Sequence, residues 1–208
     1  MKLRQRFVFH NLNLERRFTV NSYLTKTSTL VALFVISGAL VACFMVFTPV
    51  AGGVLLDSLG TVAASQQLLG EMSDAQKAVH FRITLGLDMI FPFAYGGFFV
   101  GLTLKHFNRG RFWLAMPALL VIPTDIFENL IQLLALTGAE DLLGIKALLT
   151  PVKFTLFNVA AVIAATVALA AASARASRAI YTSRWRVALI PIRLLHSQPA
   201  SSTMGATT

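Results

Sequence analysis

Residues 112–136 read FWLAMPALLVIPTDIFENLIQLLAL. At about 1.5 Å per residue, a helix of this length exceeds the roughly 30 Å of bilayer hydrocarbon. The stretch has no two-residue alternation of the barrel-strand kind, so it predicts a transmembrane helix. It is not uniformly apolar. Asp125, Glu128 and Asn129 stand at i, i+3 and i+4, which puts them on one face of that helix.

Working outward, three further segments are apolar and long enough to span: Leu30–Val50, about 83–104 and about 148–172. Composition agrees. Of 208 residues, 56% are hydrophobic and 13% charged, against about 25% charged in ordinary soluble domains, and the mean hydropathy is +0.69. Such a chain is too apolar to be disordered, and its single cysteine excludes a disulfide scaffold. The predicted fold is an all-α integral membrane protein, a four-helix transmembrane bundle over 30–172. A basic arm over 1–29 precedes it, and a basic interfacial then disordered tail over 173–208 follows.

The net charge of +9 sorts by position. Fourteen basic residues fall in the N-terminal arm, the loop holding Lys105, Arg109 and Arg111, and the tail from Arg175 to Arg193. Lys77 and Lys146 lie clear of the spans on the other side, together with Asp57, Glu71, Asp74, Glu140 and Asp141, and Arg82 sits at the boundary. The positive-inside bias then places both termini in the cytoplasm of a multi-pass protein of the cell (inner) membrane. The bases are read as anchors to anionic headgroups, so membrane lipid is the expected partner and nucleic acid is not. Arg82 is taken as a snorkelling anchor.

Leu40, Val41, Ala42 and Cys43 spell a lipoprotein-type cleavage box. A long basic arm precedes the run and Phe44–Phe47 continues it, which favours an ordinary buried cysteine. Between the first two spans, the apolar, glycine-punctuated stretch 50–60 is expected to dip into the outer interface. Ser73 with Gln76 reads as a capping box that starts the next helix near Asp74.

The informative residues are the charges inside the spans. Asp88, Asp125 and Glu128 are intramembrane acids, Lys153 is the matching base, and each ion costs about 2.5–3.5 kcal/mol at the helix centre on translocon scales. Counted inward, Asp88, Lys153 and Glu128 fall at a similar depth, about 8–12 Å below the outer boundary, with Asp125 one turn deeper. Thr84, Asp88 and Tyr95 share one line on the second span, and Thr150 joins Lys153 on the fourth, where Asn158 lies one turn further in but rotated away. Pro92 and Pro123 each remove a backbone donor one turn from an acid and leave carbonyls free beside the cluster.

These residues predict a polar pocket opening toward the outer leaflet, with Asp125, Glu128 and Asp88 as candidate acid–base groups. Lys153, Asn129, Tyr95 and Asn158 are the candidate ligand-binding groups. Three carboxylates against one or two cations suit a proton carrier or general acid better than a purely structural network. The expected function is binding or transport of a proton, cation or small amphipathic ligand. The alternatives are acid–base chemistry on a lipid or isoprenoid, and a structural role within a membrane complex. His10, His80, His106 and His196 show no metal spacing, so no metal is expected, and no cofactor motif is present. Gly97 and Gly101 form a GxxxG, read as close helix packing first and as a homodimer surface second.

Overall fold

The computed structural model describes residues 23–107 and 111–195, and its described residues form helices and turns with no strand. Most of the basic arm, Arg109 and the expected disordered segment Gln198–Thr208 lie outside the described residues. Helix α1 is Thr27–Phe47, apolar on every side, and it stops at a 3₁₀ turn over Thr48–Ala51. Pro49 lies in that turn and Gly52 follows with φ +109, a left-handed conformation that glycine adopts without steric cost. Cys43 is part-buried within α1, which runs on past it to Phe47.

Helix α2 is Val62–Glu71, capped by Thr61, whose hydroxyl accepts from the Ala64 N–H. Helix α3 is Asp74–Ile83, and both bonds of the Ser73–Gln76 capping box are formed. The chain then makes one π-helical turn, Thr84–Asp88, before α4, Phe91–His106. Helix α5 is Arg111–Leu136, with Pro117 and Pro123 absorbed inside it, and α6 is Leu143–Leu195.

Among the described residues, four stretches are long and apolar enough to cross a membrane: Thr27–Ala51, Asp74–His106, Phe112–Leu136 and Glu140–Arg178. The second starts earlier than the hydropathy indicates, because the capping box at Ser73 sets the helix start and a polar first turn does not interrupt it. The fourth is longer at both ends. Residues 173–195, expected to leave the bundle as an interfacial segment, continue α6 as helix through Pro191. Residues through Val167 form one compact unit, and from Ala168 on the helix belongs to a second.

Within the first unit α4 packs on α5, where the Ile122 side chain and Ala118 carbonyl fill the space a Cβ would need at Gly96. Helix α1 packs on α4. A Cβ at Gly101 would stand 2.5 Å from the Leu24 carbonyl oxygen, and Gly97 faces Leu33. The GxxxG face therefore packs against α1 and the residue Leu24 just before it in the same chain, which is the close helix packing expected of it.

Helix α6 meets the bundle along one stripe: Leu143, Lys146, Thr150, Lys153, Phe157, Ala160, Ala164 and Val167. The spacing alternates three and four residues, the seam of a left-handed helix pair, and all but part-buried Phe157 are buried. Across the far end, the segment joining α1 to α3 folds over α5 and α6 as a cap. Leu56 and Leu69 cluster there with Ala135 and Leu143, supported by Leu59, Val62, Leu68 and Leu136.

Candidate functional site

The polar halves of α5 and α6 face each other beneath this cap. On α5, Asp125, Glu128, Asn129 and Gln132 follow helical spacing and are all buried. On α6, Lys146, Thr150 and Lys153 are buried opposite them. Lys153 Nζ pairs with Glu128 Oε2 at 2.8 Å, with Asp125 Oδ1 at 3.4 Å and with the Asp57 carboxylate. Lys146 Nζ donates to the Leu59 carbonyl at 2.6 Å and stands 3.6 Å from Glu128 Oε1. Thr150 Oγ1 donates to that same glutamate oxygen at 2.5 Å. Glu128 thus has both oxygens engaged by α6.

Two positions correct the sequence reading. Lys146, expected in a loop clear of the spans, is fully buried in α6, because that helix starts at Leu143. Asp57, also expected in the outer loop, is carried into the cluster by the cap and ion-pairs with Lys153. Two more buried groups join the same end. Gln132 Nε2 donates to Asn129 Oδ1 at 3.3 Å, and His80 Nε2 accepts from the Leu56 N–H at 3.3 Å, which ties α3 to the cap.

Helix α4 supplies the third wall. The Tyr95 hydroxyl donates to Asp125 Oδ2 at 2.7 Å. At the π turn the Met89 N–H bonds back to the Thr84 carbonyl at 3.0 Å. Pro92 has no N–H to offer the Asp88 carbonyl one turn back, and Asn129 Nδ2 donates to that carbonyl at 3.0 Å instead. The carbonyl left free by Pro92 is therefore satisfied from α5, and the two helices are pinned at the level of the cluster.

The Asp88 side chain is different. It is buried, at 5% exposure, yet its carboxylate makes no hydrogen bond or ion pair among the described residues. It faces a cavity of about 110 Å³ lined by Asp57, Asp88, Asp125 and Lys153 on one side and by Phe91, Tyr95, Phe154 and Phe157 on the other. Carboxylate oxygens of Asp57, Asp88 and Asp125 lie within 4.8 Å of one another. This grouping is made of aspartates alone, so histidine spacing carries no trace of it. Asp57, at 28% side-chain exposure, is the cluster's wettest acid and forms its rim.

Of the residues singled out from sequence, the structure brings together Asp88, Asp125, Glu128, Asn129, Tyr95 and Lys153. Glu128 is sealed behind the lysines and does not line the cavity. Asn158 is on the exposed face of α6, away from the cluster, and Arg82 is exposed on α3. Lys146 and Gln132 had a signal: they extend the lines of Lys153 and Glu128 by a further one or two turns. Asp57 had none, because a loop fold positions it against a partner 96 residues away. Comparisons with protein-family models, with curated proteins and with solved structures give no match.

Proposed function

We propose that this chain is a multi-pass protein of the cell (inner) membrane, with both termini cytoplasmic, that binds a proton or small cation in the cavity beneath its cap. The observation that carries this reading is the Asp88 carboxylate, buried, unpaired and facing a cavity with two further acids on its wall. The cluster holds four carboxylates, Asp57, Asp88, Asp125 and Glu128, against two ammonium groups, Lys146 and Lys153. A cluster with that imbalance, out of bulk water, favours taking up positive charge. The basic residues concentrated at the opposite end of the helices support the orientation.

Size argues against the enzyme alternative. Pockets for drug-sized molecules run to about 300–1,000 Å³, whereas this cavity is about 110 Å³, and Glu128, a proposed acid–base group, does not reach it. A proton, a few waters or a small cation fits a space of this size.

The test is pH-difference infrared spectroscopy of the purified full chain in lipid, paired with flux into vesicles loaded with a pH-sensitive dye. A protonated-carboxyl signal that changes with pH is expected and is lost or altered in Asp88→Asn. An unchanged signal across the accessible pH range in wild type, with no flux beyond that of empty vesicles, overturns the reading.

A further inference from the structure

The lining of the cavity narrows the ligand class. Its polar side offers carboxylates and its other side offers rings, with little else. Hard cations such as Mg²⁺ and Ca²⁺ require about six to eight oxygen ligands, supplied by protein or retained water. Phe91, Tyr95, Phe154 and Phe157 replace that part of the shell with aromatic surface. An ammonium group needs the opposite mixture: a few acceptors for its N–H groups and ring faces for the remainder of its charge.

The chain already contains one example. Lys153 Nζ sits 5.0 Å from the Phe154 ring centroid while pairing with Asp57 and Asp125, so an ammonium is held by this lining. The carboxylate oxygens of Asp57, Asp88 and Asp125 lie within 4.8 Å of one another. Lys153 serves two of the three, and Asp88 is left for a second cation. The rings beside Asp88 are themselves mutually packed, Tyr95 against Phe91 at 4.9 Å and against Phe157 at 5.1 Å between centroids, so they form one continuous aromatic wall.

Resting on the cation reading above, we infer that the cavity takes a small primary alkylammonium, of about one to three carbons on the scale of a cavity this size. Its nitrogen pairs with Asp88 and shares Asp125, and its alkyl end lies against Phe91 and Phe157. Lys153 acts as the neighbour that holds Asp57 and Asp125 in place, and its charge limits the cavity to one further cation.

The experiment uses the full chain in lipid nanodiscs at fixed pH and ionic strength, with methylammonium chloride exchanged for sodium chloride and thermal unfolding as the readout. Ligand that binds only the folded state raises the midpoint in a saturable way. Methylammonium is expected to raise it while Na⁺ and Mg²⁺ do not. Asp88→Asn, whose side chain makes no bond that folding needs, is expected to abolish the rise. Phe157→Leu should weaken apparent affinity by about tenfold through loss of a desolvated ring contact. An equal response to Na⁺, or a rise retained in Asp88→Asn, overturns the inference. A saturable rise with Na⁺ or Mg²⁺ alone also overturns it but leaves the cation reading standing. No rise with any cation, together with a carboxyl signal that ignores pH, removes both.

Discussion

The stripe that α6 presents to the bundle has two halves with one geometry. From Ala160 to Val167 it is small and apolar, and Ala160 packs with Val100 and Ala118. From Lys146 to Lys153 it keeps the same alternation of three and four residues, but its contacts are ion pairs and hydrogen bonds to α5 and the cap. Phe157 is the boundary, with a ring that touches both Tyr95 and Phe99. Equal burial therefore comes from two kinds of contact that fail differently. In the alanine half the contacts are small apolar side chains packed on one another, and any added volume is felt. In the lysine half each group is committed to a partner, and any removed charge is felt.

The largest effect is expected where one cation serves several acids. Lys153→Met leaves Asp57, Asp125 and Glu128 without their shared partner, and breaking a buried pair in this way costs about 3–5 kcal/mol. Thermal or denaturant unfolding in detergent should register it, with part of the loss recovered by a second change, Asp125→Asn, because the two sites are coupled. Full stability in the single variant would mean that the polar half is not held by charge.

A smaller effect is expected in the other half. Ala160→Leu forces a branched side chain between α4, α5 and α6, and overpacking of this kind costs about 1–3 kcal/mol. It should leave the infrared carboxyl signal of the cluster unchanged, since its packing partners are Val100 and Ala118. A variant that disturbs the carboxyl signal as strongly as Lys153→Met would show that the halves are not separable. The smallest effects divide two asparagines. Asn129→Ala leaves the Asp88 carbonyl without a partner and should cost about 1–2 kcal/mol, whereas exposed Asn158→Ala should stay within about 0.5 kcal/mol. Equal melting temperatures for the two variants would remove the role given to Asn129.

The helices and much of the cluster are legible in the chain for one physical reason: helical periodicity places i, i+3 and i+4 together whatever else the molecule does. That rule finds Asp125, Glu128 and Asn129 on one face, and it brings Thr150 to Lys153. The loss of a backbone donor at Pro92 is equally local, and it correctly marks the Asp88 carbonyl as needing a partner. Lys146 escapes because hydropathy averages over a window, and a lysine near a helix end lowers the average until it is counted as loop. Asp57 escapes because nothing local distinguishes it from Glu71 or Asp74. Only the docking of Leu56 and Leu69 on Ala135 and Leu143 decides that this acid turns inward.

The position of the two lysines also sets an order of assembly. Synthesis runs from the N-terminus, so α1, the cap and α3 to α5 are complete before Lys146 or Lys153 has been made. Until then Asp57, Asp125 and Glu128 lack their buried cations, and the Leu59 carbonyl lacks the ammonium that pins the cap. The polar face of α5 therefore waits for its partners until α6 has been made. Arrival of α6 neutralises that face and fastens the cap in one event, and a ribosome halted before Lys146 would leave a nascent chain with its cap unlatched.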